Sequence, residues 1–384
     1  MEDALQQIKQ RIEEVTPLQA KSLQMDHCLL IDIREDSEVG AGMPEGALHI
    51  PKSFLEIKIQ QFVKDRDQTF VLMCAGGTRS AYAASMLQFM GFTNAKSMEG
   101  GFNRWKDEGH PITIPKKLTT EDQKRYARHL MMNDVGEAGQ IKLLESKVLV
   151  VGAGGIGSPV AYYLAAAGVG TLGIIDHDVV DMSNLQRQIL HTEARVGEKK
   201  VESAKAALTE LNSSIDIQTH DCRLNKENID QIVEQYDLVV DGSDNFPTRY
   251  LINDACVKHG IPNVHGAVYQ FEGYVTVYDP KHSGGCYRCI YPEPLPQHLA
   301  PNCAEAGVLG VLPGIIGLLE AVEAIKILLD IGEALRGKML CYNALDAKFT
   351  TLSLEKSDEC QYCNASATAY PEYIDYEHFC SLHS

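Results

Sequence analysis

The stretch "KVLVVGAGGIGSPVAYYLAAAGVGTLGIID", residues 147–176, constrains the fold more than any other part of the chain. An apolar run leads into Gly152, Gly154 and Gly157, an alanine-rich segment follows, and a second apolar run closes at Asp176. The G-x-G-x-x-G spacing permits a tight turn and lets the backbone approach a phosphate at a helix N-terminus. Strand, glycine turn, helix and strand in that order predict an α/β fold with a doubly wound, Rossmann-like sheet. "YDLVVDGSDN" and "YVTVYDP" read as further strands of that sheet. Asp176 stands where an acid can grip ribose hydroxyls. Nicotinamide dinucleotides and ATP both use such a turn, so the turn alone does not choose between them.

The residues downstream favour the triphosphate. A dinucleotide carries two phosphate charges that helix amides largely satisfy, whereas a triphosphate carries about four and needs cations. "SNLQRQ" supplies Asn184 and Arg187, "VGEKKVESA" supplies Lys200, and "DGSDN" places Asp244 just past a strand, where a carboxylate can hold Mg²⁺. Any one of these cations could be a solvated surface charge. Their joint occurrence in this order argues otherwise.

Together "GAGGIG", "IIDHDVVDMSNLQRQILH", "VGEKKVESA", "DGSDN", "CYRC" and "CAEAGVLG" resemble the ThiF/MoeB adenylyltransferases, relatives of ubiquitin-activating enzymes, from about residue 119 to 363. The resemblance implies adenylation, with ATP, of the C-terminal glycine of a ubiquitin-like sulfur-carrier protein ending in Gly-Gly. It implies nucleotide contacts from Gly155, Asp176, Asn184, Arg187, Lys200 and Asp244. It also implies a homodimer in which Arg128, in "KRYARHL", reaches the partner subunit's site. A terminal carboxylate, with a pKa near ~3.5, is already a nucleophile at neutral pH. Such a site therefore needs placed charge and alignment more than a general base.

Cys286 and Cys289 form one C-x-x-C and Cys360 and Cys363 another, which read as a single four-thiolate zinc site. With every position filled by protein, the metal is structural; a redox dithiol is the competing reading of either pair. Cys303, in "APNCAEAGV", lies outside both pairs. Alone it reads as a small buried hydrophobe; the resemblance offers it a second role, as a covalent intermediate with the activated carrier.

The first 111 residues carry a different glycine loop, "MCAGGTRSA". Cys74 heads a run of backbone N–H groups feeding a helix, a setting that stabilises a thiolate, and Arg79 is expected to add positive charge. Four residues separate Cys74 from Arg79, one fewer than the ring that surrounds phosphate in cysteine phosphatases. With "LLIDIRE", "EGALHIP" and "MEGGFNRWKDEGHPI", this segment resembles a rhodanese domain. The resemblance implies a Cys74 persulfide, charged by a persulfide donor such as a cysteine desulfurase, with Asp32 and Arg34 pairing structurally. In fused proteins of this type rhodanese usually follows the adenylating domain; here it comes first.

These readings divide the chain into a rhodanese-like domain at 1–111, a linker at 112–120, an adenylyltransferase domain at 121–363 and a tail at 364–384. A net charge of −17 disfavours nucleic acid and anionic membranes. The acidic N-terminus lacks the pattern of a signal peptide, and eleven cysteines point to reduced thiols in the cytoplasm. The run "AGVLGVLPGIIGLLEAVEAIKILL" (306–329), interrupted by Pro313 and carrying Glu320, Glu323 and Lys326, reads as a buried or interface helix. The expected activity is adenylation with sulfur transfer from Cys74, the molybdopterin-synthase small subunit being the foremost carrier. Thiamine and tRNA-thiolation carriers are alternatives within that chemistry. An NAD-dependent oxidoreductase and a carrier-binding adaptor are the alternatives outside it.

Overall fold

The computed structural model describes the chain except residues 1, 115, 283, 295–306, 365–369 and 382–384. It divides into two compact units, Met1–Lys117 and Leu118–Ser384.

The first unit is built on a parallel five-stranded sheet in the order β1-β6-β5-β2-β4. These strands are β1 (Glu14–Val15), β2 (Leu29–Asp32), β4 (Leu48–His49), β5 (Phe70–Met73) and β6 (Ala95–Met98). A small antiparallel pair, β3 (Met43–Pro44) and β7 (Ile112–Thr113), stands apart from it. β2 and β5 are apolar on both faces because both faces are covered, as a parallel sheet requires. Ile31, Leu72 and Leu87 pack on one side, and Leu30, Met73 and Trp105 on the other. β5 runs into the loop that carries Cys74, and the helix Thr78–Phe89 starts from Gly77, which takes a left-handed conformation at φ 89°.

The second unit contains an eight-stranded sheet, β10-β9-β8-β11-β12-β13-β14-β15. β8 (Lys147–Val151), β9 (Thr171–Ile175), β10 (Asp216–His220), β11 (Leu238–Asp241) and β12 (Asn263–Tyr269) are mutually parallel. β13 (Glu272–Tyr278), β14 (Lys338–Asn343) and β15 (Lys348–Ser353) continue it antiparallel. "YVTVYDP" is thus a strand of the same sheet, but it folds back on β12 through Gln270 (φ 50°) instead of crossing over. A turn this short cannot make a parallel connection.

The glycine turn fixes helix against strand. Gly152 sits at φ 88°, and a Cβ at Gly157 would lie 1.8 Å from the Gly152 carbonyl oxygen, so only glycine allows this approach. The helix Gly157–Ala167 then packs against the helix Leu312–Leu329, with Val160, Leu164, Ile316 and Ala324 in one core. Pro313 does not interrupt that second helix; it occupies its first turn, where the missing N–H would have had no partner. Among the described residues no helix is long and apolar enough to cross a membrane.

On the opposite face the helix Phe246–His259 carries a buried ion pair. Arg288 donates from Nε to Asp254 Oδ1 and from Nη2 to Oδ2, both at 2.8 Å, with the two side chains 6% and 0% exposed. The tail, to which sequence gives no role, closes over this pair. Tyr376 donates to Asp254 Oδ2 and Tyr370 to the Asp254 carbonyl, each at 2.7 Å. Tyr376 also joins the core beneath it, and Phe379 packs edge-on against Tyr250. Since Arg288 lies between Cys286 and Cys289, the pair ties the thiol knuckle to this helix.

Removing one partner of such a pair strands the other charge in the interior, at a cost of about 3–5 kcal/mol. Arg288→Met should lower the unfolding free energy by about that amount in urea titrations, and Arg288→Met/Asp254→Leu should recover much of it. A single variant as stable as the wild type would show that the pair is not desolvated.

Candidate active sites: a nucleotide pocket, a four-thiol cluster and a thiol loop

Gly152, Gly154, Gly155, Asp176, Arg187, Lys200 and Asp244 line one pocket in the second unit, at the C-terminal ends of β8, β9 and β11. This is where an open parallel sheet binds its ligand. Gly157 serves the turn from behind. Asn184 works at one remove: its Oδ1 accepts from Gln188 Nε2 at 2.8 Å, and Gln188 lines the pocket. Arg128 lies exposed on the helix Ala127–Leu130 and is not among the residues lining the pocket.

Each charged group has a distinct setting. Asp176 accepts from Ala153 N–H at 2.9 Å and from Asp178 N–H at 2.8 Å, which holds its carboxylate against the glycine turn. Lys200, 5% exposed at the start of the helix Lys200–Leu211, pairs with Asp178 at 2.9 Å. Burial works against ionisation of Asp178, yet the Lys200 ammonium holds its carboxyl below the usual range. The Arg187 guanidinium makes only a long contact among the described residues, 3.4 Å to the Ser183 carbonyl, and remains available to an anion. Asp244 is exposed at the pocket edge, beside Asn245.

Several supporting residues escape sequence reasoning. His191 is buried between Ala153 O (2.8 Å from Nε2) and Ser203 Oγ (2.9 Å from Nδ1). A carbonyl can only accept, so Nε2 carries the proton and Nδ1 accepts from the serine. Burial holds this imidazole below its ordinary pKa, in keeping with a neutral prop under the glycine turn. Beneath Asp244, Asp241 Oδ1 accepts from Ser243 N–H at 3.0 Å, while Arg249 Nη2 donates to Ser243 O at 3.0 Å. Asp241 in turn pairs with His265 at 2.9 Å, both fully buried. The Gly242–Asn245 loop is therefore gripped on both sides of one residue, Ser243. Asp241 stands within the "VVDGSDN" motif, but nothing in its spacing sets it apart from Asp244.

Cys286, Cys289, Cys360 and Cys363 bring their sulfurs within 4.8 Å of one another. Three of the separations are 3.9, 3.7 and 3.4 Å. Tetrahedral zinc with Zn–S bonds of about 2.3 Å requires edges of about 3.8 Å, so the four thiols fit that ion. All ten described cysteines are free thiols. Cys303 lies outside the described residues.

In the first unit Cys74, only 1% exposed, follows β5. Its Sγ accepts from Gly77 N–H at 3.2 Å and Ser80 N–H at 3.4 Å, with Ser80 Oγ at 3.6 Å. The backbone amides thus form the cradle that the loop sequence predicts. Arg79 brings its positive charge to the loop already paired: its Nη1 and Nη2 donate to Glu38 Oε2 and Oε1 at 2.7 and 2.6 Å. The guanidinium holds the Glu38 carboxyl down to about 2, and Glu38, with a smaller contribution from Cys74, holds Arg79 above its ordinary value. Asp32 and Arg34 form a buried structural pair, Nη2 to Oδ2 at 2.7 Å, and Arg34 also donates to Gly42 O.

Residues 126–363 match the model of the ThiF family, and residues 16–108 match that of the rhodanese-like domain. The SAMP-activating enzyme E1 of Haloferax volcanii is 49% identical over 258 residues, 67% of this chain and 95% of its own length. The sulfur carrier protein adenylyltransferase of Thermus thermophilus is 48% identical over 270 residues, 69% of this chain and 99% of its own. The adenylyltransferase and sulfurtransferase MOCS3 of Culex quinquefasciatus is 48% identical over 269 residues, which are 60% of that protein. Among solved structures, E. coli MccB with ATP superposes with a TM-score of 0.54 over 69% of this chain and 86% of its own, at 22% identity, which speaks to fold alone. The chain belongs to the ThiF family and carries a rhodanese-like domain ahead of its ThiF domain.

Proposed function

We propose that this chain is an adenylyltransferase with a fused sulfurtransferase: it activates the C-terminal glycine of a ubiquitin-like sulfur carrier with ATP and delivers sulfur to it from a Cys74 persulfide. The observation that carries this reading is the pocket itself, where a glycine turn at a helix N-terminus meets Arg187, Lys200 and Asp244. A triphosphate needs that surplus of cations and a carboxylate; a nicotinamide dinucleotide does not.

The glycine-turn amides face the phosphates and Asp176 the ribose. Arg187 and Lys200 offset charge that builds on the phosphates as the carrier carboxylate attacks the α-phosphorus and pyrophosphate departs. Asp244 would hold Mg²⁺, which when bound neutralises phosphate charge. The Asp241 and Arg249 grip on Ser243 keeps the Asp244 carboxylate placed, so alignment is prepaid in the fold. The outer sulfur of the Cys74 persulfide then attacks the acyl carbon and AMP leaves. A second thiol, Cys303 or an external one, attacks the Cys74 sulfur of the resulting acyl disulfide and releases the carrier thiocarboxylate. The four-cysteine cluster would hold Zn²⁺ with no position open to substrate, a structural role.

In this reading the small subunit of molybdopterin synthase is the first carrier to test, the enzyme is a cytoplasmic homodimer completed by Arg128 of the partner copy, and the sulfur comes from a protein persulfide. The boundaries that go with it are 1–111 for sulfur transfer and 121–363 for adenylation.

Carrier-dependent ATP–pyrophosphate exchange across a panel of Gly-Gly-ended carriers tests the central claim; exchange with none of them would leave only an adaptor or an oxidoreductase. Asp244→Ala should lower exchange on the order of 100-fold or more while sparing thiosulfate:cyanide sulfur transfer. Cys74→Ala should do the reverse. A folded Cys74→Ala chain that loses both activities would contradict this division of labour. Elemental analysis should find about one zinc per chain, lost in Cys360→Ser together with thermal stability, and zinc-free wild type of undiminished stability would remove the structural role.

A further inference from the structure

Arg79 is the charged residue of the thiol loop, and its positive charge is already matched. Glu38 holds it through two short hydrogen bonds, and the carboxylate is itself fixed, because Oε2 also accepts from Glu35 N–H at 3.1 Å. Arg34, anchored on buried Asp32, reaches the Glu38 carbonyl at 3.4 Å and steadies the short helix Asp36–Val39 from below. The Arg79 and Glu38 side chains are 39% and 34% exposed, so the pair meets solvent while Arg79 also feels the Cys74 sulfur. Cys74 does not depend on that guanidinium for its cradle, which Gly77 and Ser80 supply from the backbone.

We propose that Glu38 determines the class of sulfur donor: by cancelling the Arg79 charge beside Cys74 it disfavours doubly charged sulfur oxyanions and leaves the loop suited to a thiol-bound persulfide. The proposal rests on the sulfurtransferase reading of Cys74. In every case the Cys74 thiolate attacks the donor's outer sulfur, the bond from that sulfur to the donor breaks, and the donor departs with the electron pair. Thiosulfate releases sulfite; a persulfide releases a thiolate; Cys74 ends as Cys–S–S⁻ in both. The leaving group sets the charge that the loop must accept. A dianion gains twice as much as a monoanion from an uncancelled guanidinium, and it gains nothing at long range from a chain whose net charge is −17.

Glu38→Gln keeps the side chain's shape and removes its charge. The test is kcat/KM for sulfur transfer to cyanide from thiosulfate, a dianion, and from methanethiosulfonate, a monoanion that releases methanesulfinate. One uncancelled unit charge at about 6 Å in a water-like dielectric should raise the thiosulfate value about tenfold and the methanethiosulfonate value about threefold at low salt. Both gains should shrink towards unity at about 0.5 M salt. Glu38→Asp, which keeps the charge, should retain the wild-type ratio between the donors. Equal gains with both donors, gains that ignore salt, no gain, or loss of activity with both donors would each overturn the proposal, the last by showing that Glu38 supports the loop and does not select by charge. Failure of the proposal alone leaves wild-type transfer intact. A wild-type chain that takes sulfur from neither these donors nor a protein persulfide removes the sulfurtransferase reading, and the proposal with it.

Discussion

Backbone N–H groups at the start of a helix, delivered there by a strand that ends in glycines, are the interaction on which both sites depend. After β8 the turn works only because Gly157 has no side chain to strike the Gly152 carbonyl. After β5 the loop works because Gly77 can turn left-handed and aim its amide at the Cys74 sulfur. The same device faces two loads. In one unit the turn borders a pocket lined by Arg187 and Lys200; in the other the amides cradle a sulfur that belongs to the chain. A Cβ at Gly157 would push helix from strand and remove the first cradle whatever the surrounding cations did.

Rigid support behind the glycine-turn cradle comes from buried polar groups hydrogen-bonded to one another and to the backbone around it. His191 spans the glycine turn and the helix Lys200–Leu211. Asp241 and Arg249 hold the backbone on both sides of Ser243, and His265 pairs with Asp241. Such groups would be costly if left unpaired in the interior, so each fixes the geometry of what it touches. The tail extends this logic to the thiol cluster. Tyr370 and Tyr376 add to the hydrogen bonds on Asp254, whose ion-pair partner is the arginine between two of the four clustered cysteines. A segment that looks featureless in sequence is in fact the lid of a buried ion pair.

What was legible in the sequence was local. The G-x-G-x-x-G turn, the two C-x-x-C pairs and the Cys74 loop are defined by residues a few positions apart, and spacing at that range dictates backbone geometry. The parallel core of the large sheet followed from apolar runs alternating with helical patterns. Its antiparallel continuation did not, because "YVTVYDP" has the composition of either kind of strand and only the short turn before it decides. Pro313 misled for a related reason: a proline stops a helix or starts one according to where the helix begins. The partners Asp178, Glu38 and His265 were invisible because each meets its counterpart from 22 to 41 positions away, by folding alone.

The two units handle charge differently around the same cradle, and that difference separates their chemistry. In the nucleotide pocket one cation, Lys200, is paired and desolvated while another, Arg187, is left with a single long contact. A polyanion entering there meets an uncommitted guanidinium at once and can compete for the ammonium. In the thiol loop Arg79 is bound on both terminal nitrogens by a carboxylate that a backbone amide also fixes. Replacing that carboxylate by an incoming anion would break three hydrogen bonds to make two. In the reading proposed above, a site for phosphate keeps cation capacity in reserve, whereas a site for sulfur carried on the chain has no need of it, and surplus positive charge there would invite the wrong anions into the ring.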